Sequence, residues 1–182
     1  MSAILSETLD APAIRAAVAE LRTPAVDLLS RLVAEPSLLG DEAGAQRLMA
    51  QQFRQLGLRV DEFEIDEDEI RDHPGYSPSI VPYAGRRNVV GVHQPKGPVR
   101  GKSLILNGHI DVVPVGAARL WSRPPFEPFV DGDKLYGRGS GDMKAGIVAY
   151  SMAFEALRNL GFEPAAPVFL SRRSEILRFA GE

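Results

Sequence analysis

The chain has 182 residues, no cysteine and a formal net charge of −3, and this length suits one domain with a sizeable core. The lack of cysteine excludes a disulfide scaffold, a cysteine-ligated zinc finger and a cysteine nucleophile. The small net charge offers no electrostatic basis for binding nucleic acid or an anionic membrane. Because there is neither a secretory signal nor an apolar run near the ~20 residues that span a bilayer, we expect a cytoplasmic protein.

Helical periodicity dominates the first part of the chain. Apolar residues recur every three or four positions over residues 11–34. This predicts two consecutive helices, or one helix broken at Pro24, with Thr23 as the N-cap of the second. The same spacing over residues 42–56 predicts a further helix, and Gly57 is suited to end it.

The middle of the chain alternates between strand and loop patterns. A rough apolar alternation over residues 58–65 predicts a strand. Residues 66–86 are acidic and then rich in proline and glycine, which predicts a surface loop. The short apolar runs over residues 88–92 and 102–107 predict buried strands of a sheet that helices cover.

The remaining pattern completes an α/β domain. Residues 114–133 are irregular and rich in proline and aromatic residues, and a short strand is predicted over residues 134–136. Strong helical periodicity follows over residues 143–160, and then a buried strand over residues 166–170. Strands that alternate with helices predict a layered α/β domain.

A histidine and an aspartate stand at the end of the strand within residues 104–114, LILNGHIDVVP. His109 and Asp111 are two positions apart, so in an extended segment their side chains project to the same side. An aspartate in this position can accept the second ring N–H of a metal-bound histidine and fix its tautomer. For this motif alone the alternative stays open that Asp111 binds an isolated histidine locally, with no metal.

A second acidic motif, GRGSGDMK, occupies residues 137–144. Its glycines allow positive φ angles and close approach, and Asp142 comes just before the predicted helix. Asp142 is therefore either a metal ligand or an N-cap of that helix. A phosphate-binding loop is excluded, because Met143 precedes Lys144, Ala145 follows it, and the carboxylate would repel phosphate.

In this order and spacing, the segments HIDVVP and LYGRGSGDMKAG resemble the two signature segments of a zinc-dependent amidohydrolase family. The family includes acetylornithine deacetylase, succinyl-diaminopimelate desuccinylase, aminoacylase and glutamate carboxypeptidase, and the resemblance covers about residues 12–170. It implies a three-layer α/β/α catalytic domain with a central mixed sheet, of the zinc-exopeptidase type. It also implies hydrolysis of the amide bond of N-acyl amino acids or small peptides. The complete relatives hold two zinc ions, with cobalt or manganese as alternatives, and are homodimers.

The resemblance also implies roles for individual residues. His109 corresponds to a histidine that ligates one metal ion, and Asp111 to the catalytic aspartate that orients it. Asp142 corresponds to the carboxylate that bridges two zinc ions, and the peptide bond after it is expected to be cis. Glu175 stands at about the distance after Asp142 at which the family has its general base.

Other residues near the motifs receive supporting roles or none. Arg138 and Lys144 are assigned structural or electrostatic support. Trp121 lies in the loop that would shape the cleft, where ordinary packing and substrate contact are equal alternatives. His73 and His93 match no family position and are predicted to lie on the surface.

The end of the chain departs from the family pattern. The family has a Glu-Glu pair after the next strand, whereas this chain reads SRRSEILRFAGE there. Relatives are also more than twice as long, with an inserted domain that dimerises and closes over the substrate. We therefore expect residues 1–170 to be the N-terminal portion of the catalytic domain, residues 171–182 to be an unmatched tail, and the gene to be truncated or frameshifted.

Two functions are compatible with this pattern. The first is the amide hydrolase itself, and the second is a catalytically inactive fragment with at most weak metal binding. In either case, strands that later elements would cover are expected to leave exposed apolar edges.

Overall fold

The computed structural model describes residues 10–173. Its helices are α1 Ala11–Glu20, α2 Arg22–Ala34, α3 Ala43–Gln55, α4 Glu67–Ile70 and α5 Ala145–Asn159. Its strands are β1 Arg59–Phe63, β2 Asn88–His93, β3 Leu104–His109, β4 Phe129–Asp131, β5 Lys134–Tyr136 and β6 Val168–Arg173. No helix in the described part of the chain is long and apolar enough to cross a bilayer.

The central sheet has the strand order β1-β2-β6-β3 within residues 10–173. β2 pairs antiparallel with both β1 and β6, whereas β3 pairs parallel with β6. β4 and β5 form a separate antiparallel hairpin, in which the rings of Phe129 and Tyr136 stack. The predicted α/β class with a mixed sheet is therefore confirmed.

The helices pack on the sheet through one shared apolar core. α3 lies against β1 and β2, α5 lies against β3, and α1 and α2 pack on α5. Fully buried side chains come from each of these layers, among them Leu32, Phe53, Val89, Ile147 and Leu170. This core fixes the end of β3 relative to the start of α5, where the two sequence motifs lie.

The break between the first two helices differs from the prediction. It falls at Leu21, and α2 begins at Arg22 with no side-chain cap. Pro24 lies in the first turn of α2. Backbone N–H groups of the first turn have no acceptor within the helix, so the lack of an N–H in proline costs no hydrogen bond there. The proposed Thr23 cap is therefore wrong, because both Thr23 and Pro24 are already helical. The predicted surface loop over residues 66–86 also contains the short helix α4.

The prediction that β3 is buried is wrong. Leu104 and Ile105 are 51% and 65% exposed, because β3 is an edge strand of the described sheet and pairs there with β6 alone. The exposed apolar edge expected from the sequence is thus present. β6 continues to Arg173, past the predicted strand end at Leu170. Glu175 lies outside the described residues.

Candidate active site

Three of the predicted site residues come together at one end of the sheet. His109 ends β3, and Asp142 lies in the turn before α5. His109 Nδ1 is 3.0 Å from Asp111 Oδ1, and His109 Nε2 is 3.2 Å from Asp142 Oδ1. A cavity of about 210 Å³ includes all three side chains in its wall. Two motifs that are 33 positions apart thus form one site.

The two carboxylates differ in their surroundings. The Asp111 side chain is 12% exposed and that of Asp142 is 87% exposed. The hydrogen bond with Asp111 raises the pKa of His109 above its ordinary value, against the effect of burial, and the charges of Asp111 and Asp142 add to the rise. Asp111 therefore orients the imidazole, while the Asp142 carboxylate stays accessible from the cavity.

Asp142 is not the N-cap of α5. The helix begins at Ala145, Lys144 holds the capping position, and no side chain caps the helix. Asp142 has the extended backbone angles φ −126° and ψ 101°, so its carboxylate contacts His109 rather than the helix N–H groups. The Asp142–Met143 peptide bond is cis, as the resemblance implies.

The side chain of Lys144 anchors the turn that carries Asp142. Lys144 is fully buried, and its Nζ donates hydrogen bonds to the carbonyl oxygens of Leu32 at 2.7 Å and Glu35 at 2.9 Å. Burial lowers its pKa to about 8, although the Glu35 carboxylate acts in the opposite direction. Lys144 was assigned structural or electrostatic support, and its two hydrogen bonds to backbone carbonyls indicate structural support.

Ser37, which follows α2 in the chain, anchors the segment that contains His109 and Asp111. The sequence did not predict this role. The Ser37 hydroxyl donates to the Ile110 carbonyl at 2.7 Å, and its own carbonyl accepts from the Val112 N–H at 2.8 Å. The turn that carries Asp142 packs closely against Val112. Gly139 of this turn has φ +80°, and a Cβ at this position would lie 2.4 Å from the Val112 side chain, so only glycine fits. A single serine after a helix carries no signal of such a role.

Arg138 lies in the wall of the same cavity. Its Nη2 donates to the Pro114 carbonyl at 3.3 Å, and its guanidinium carbon lies 5.0 Å from the centre of the Trp121 ring. Trp121 in turn donates from Nε1 to the Val115 carbonyl at 2.8 Å. Trp121 therefore packs within its own loop and supports the guanidinium.

The other two histidines lie apart from this group. His73 is exposed, as predicted. The surface prediction for His93 is wrong, because this residue is 5% exposed and its Nε2 lies 3.1 Å from the Pro164 carbonyl. Its position on β2, in the interior of the sheet, explains the burial.

The site residues in the described part of the chain are too few for a complete metal centre. No group of three or more His, Asp or Glu side chains converges there in a way that could hold a metal ion. His109 and Asp142 are two facing donors, and Asp111 engages the second ring nitrogen of His109. The assignment of Glu175 as a general base remains a prediction, since that residue lies outside the described range.

Residues 105–171 match the model of peptidase family M20/M25/M40. The chain belongs to this peptidase family. It is 32% identical to the succinyl-diaminopimelate desuccinylase of Variovorax paradoxus over 130 residues, which are 71% of this chain and 30% of that protein. It is also 32% identical to the enzyme of the same name from Acidovorax ebreus over 133 residues, which are 73% of this chain and 32% of that protein.

Solved structures of two dipeptidases share the fold. Human carnosine dipeptidase 1 aligns with a TM-score of 0.69 at 20% identity, over 90% of this chain and 34% of that one. The dipeptidase Dug1p of Saccharomyces cerevisiae aligns with a TM-score of 0.68 at 17% identity, over 89% of this chain and 34% of that one. The chain thus spans about a third of the length of these relatives and dipeptidases. Over the aligned part it has the fold of the two dipeptidases.

Proposed function

We propose that this chain contributes part of the catalytic domain of a metal-dependent amidohydrolase that cleaves the amide bond of N-acyl amino acids or small peptides. The observation that carries the proposal is the position of His109 between two carboxylates, with one ring nitrogen 3.0 Å from Asp111 and the other 3.2 Å from Asp142. Membership of the M20 family and the desuccinylase names of its relatives support the same reaction class.

In this proposal His109 and Asp142 are metal ligands. The donor set fits, because imidazole nitrogen and carboxylate oxygen are ligands of Zn²⁺, with Co²⁺ or Mn²⁺ as alternatives. Asp111 occupies Nδ1 of His109 and so leaves Nε2 as the nitrogen that faces Asp142. An aspartate behind a ligating histidine fixes the tautomer and raises its basicity.

The chemistry of the site divides between the metal and the protein. A metal ion held by His109 and Asp142 would supply Lewis-acid chemistry for activating a water molecule and the scissile carbonyl. His109 has to be neutral at Nε2 to ligate, and Asp111 keeps its proton on Nδ1. The 87% exposed Asp142 side chain leaves the cavity side of the site open to a substrate. A glutamate outside the described residues, with Glu175 as the candidate, would take the proton of the water and pass it to the leaving amine.

A second function remains a candidate: a catalytically inactive unit with at most weak metal binding. It is favoured by one observation, that no three ligand side chains converge within residues 10–173. A zinc site usually needs about four ligands. The division into a catalytic portion over residues 1–170 and a tail over residues 171–182, the homodimer and the cytoplasmic location all stay predictions.

A calorimetric titration of the purified chain with Zn²⁺ tests the proposed ligands. We expect His109→Ala and Asp142→Asn each to weaken zinc binding by about tenfold or more, because each removes one direct ligand. His73→Ala is the matched control, since His73 is an exposed histidine outside the site. Equal zinc binding by the wild type and all three variants would contradict the assignment.

The same samples separate the two candidate functions. Release of free amine from an N-succinyl or N-acetyl amino acid is followed in the presence of saturating Zn²⁺. Turnover that disappears in Asp142→Asn supports the hydrolase. Zinc binding that depends on His109 but is accompanied by no turnover supports the inactive unit.

A further inference from the structure

A buried ion pair lies behind the segment that carries His109. The carboxylate of Glu42, just before α3, accepts hydrogen bonds from Nε and Nη2 of Arg86 at 3.0 Å and 2.7 Å. The two side chains are 2% and 5% exposed. Arg86 also donates from Nη1 to the Val81 carbonyl at 3.0 Å and lies over the Tyr83 ring. The pair therefore fixes the chain before β2 against the start of α3.

The same carboxylate holds the turn that leads to the candidate site. Glu42 Oε1 accepts from the Gly40 N–H at 2.9 Å, and the Asp41 N–H donates to the Leu38 carbonyl at 2.8 Å. Leu38 in turn forms a parallel bridge with Val112. This turn is thereby fixed between the ion pair on one side and Val112 on the other.

Asp111 is held from this turn at both of its chain neighbours. Ser37, at the start of the turn, donates its hydroxyl to the Ile110 carbonyl and accepts from the Val112 N–H. Because Asp111 lies between these two residues, their position sets that of the carboxylate that contacts His109 Nδ1 at 3.0 Å. Hydrogen bonds and adjacent residues thus connect the ion pair to the imidazole without a break.

We propose that Glu42 and Arg86 are positioning residues that hold Asp111 against His109. A buried ion pair is often no more stabilising than well-packed apolar side chains of similar volume, whereas its two parallel hydrogen bonds impose a defined geometry. When the pair is removed, the turn is free to shift, and the contact between Asp111 and Nδ1 loosens. The consequence for metal binding rests on the proposed function, but the alignment of the metal-free imidazole does not.

The three histidines of the chain make this alignment measurable in one NMR spectrum. The proton on Nδ1 of His109 faces Asp111, and the buried His93 donates from Nε2 to the Pro164 carbonyl at 3.1 Å. The exchange of both ring protons with water is followed in EDTA on protein with isotope-labelled histidine, and His109→Ala assigns the first resonance. Nδ1 carries its proton in the neutral and the charged imidazole alike, so the measurement does not depend on the titration of His109.

The test variant is the double substitution Glu42→Gln with Arg86→Met, which removes both charges and leaves no buried ion unpaired. We expect the His109 ring proton to exchange about threefold faster or more, because a distant contact is loosened, while the His93 proton keeps its rate. Arg158→Met is the matched control. Arg158 also donates to a backbone carbonyl, at 2.8 Å, and lies over an aromatic ring, but it is in the last turn of α5, at the opposite end of that helix from the site. Both ring protons are expected to keep their rates in this control.

Two results would overturn the inference. One is an unchanged exchange rate of the His109 proton in the double variant. The other is an equal acceleration at His93 and His109, because the pair would then only stabilise the fold as a whole. If the double variant does not fold, Glu42→Gln alone is read in the same way, since it removes the charge and retains Oε1 as an acceptor for the Gly40 N–H.

A zinc titration of the same samples separates this inference from the proposed function. Zinc affinity that is about threefold weaker in the double variant, and unchanged in Arg158→Met, supports both. A wild-type chain that binds no zinc contradicts the proposed metal ligands. Acceleration confined to the His109 proton would still support the positioning role of Glu42 and Arg86 in that case.

Discussion

The imidazole of His109 contacts a carboxylate at each ring nitrogen, and the two contacts have different consequences. Asp111 is nearly buried and holds Nδ1, so it determines the orientation of the ring. Asp142 is largely exposed and faces Nε2. The pair of Asp111 and His109 is therefore a structural unit of the metal-free chain, and Asp142 is the group that a ligand in the cavity would meet.

Replacing Asp111 by asparagine tests this unit. In metal-free Asp111→Asn we expect the pKa of His109 to fall toward its ordinary value of 6.5, because the hydrogen bond to a charged acceptor is lost. NMR titration of the ring protons measures it, and the exposed His73 is the internal control. An unchanged His109 pKa in the variant would show that Asp111 does not hold the ring.

The raised pKa also determines the pH dependence of stability. Because the folded pKa of His109 lies above its ordinary value, the stabilisation from the charged pair is complete below that ordinary value. It is lost as pH rises through the folded pKa. Zinc binding has the opposite trend, since His109 must lose a proton to ligate and the affinity rises with pH.

At the scale of elements, the segment from the end of α2 to Ser37 organises the site. Lys144 donates hydrogen bonds to the Leu32 and Glu35 carbonyl oxygens of this segment. Ser37, in the same segment, is hydrogen-bonded to the backbone of Ile110 and Val112. The cation of Lys144 also lies at the C-terminal end of α2, where a positive charge is favourable. One connection thus aligns the end of β3 with the turn before α5.

Lys144→Met is expected to lower the free energy of unfolding by about 1–3 kcal/mol, because two carbonyl groups lose their donor. Urea denaturation measures the loss. Lys134→Met is the matched control, since Lys134 is exposed in the β4–β5 hairpin, and its effect is expected to stay within about 0.5 kcal/mol. Equal stability of the two variants would mean that the buried contacts of Lys144 do not stabilise the turn.

At the scale of the molecule, the sheet presents an apolar edge. β3 exposes Leu104 and Ile105, and in the described residues it has a strand neighbour on one side only. Unpaired backbone groups beside apolar side chains favour association with other strands. The chain spans about a third of the length of the relatives that it matches.

We expect Ile105→Lys to reduce concentration-dependent association, because a charge on an edge strand opposes strand pairing between molecules. Light scattering over a concentration series measures the effect. Ile80→Lys is the control: Ile80 is 67% exposed, close to the 65% of Ile105, but lies outside the sheet. Association that falls equally in both variants would show that added charge, and not the edge of β3, is responsible.

Local pattern in the sequence was sufficient for much of this protein. The periodicity of α3 and α5, the alternation of β1 and the glycine-rich turn before α5 depend on neighbouring residues, which the sequence displays directly. The family was recognised from two short motifs, because His109, Asp111 and Asp142 are each marked by their neighbours, and the comparisons confirm that family.

Only the tertiary structure decided the features that depend on distant partners. The exposure of β3 follows from its place at the sheet edge, which its apolar composition does not reveal. Whether Asp142 caps α5 or faces the cavity beside His109 depended on the backbone angles of one turn. The anchoring by Ser37 and Lys144 joins positions that are 73 and 112 residues apart, and hydrogen bonds over such separations leave no local pattern. For that reason the sequence predicts the candidate ligands, and the fold alone shows what holds them in place.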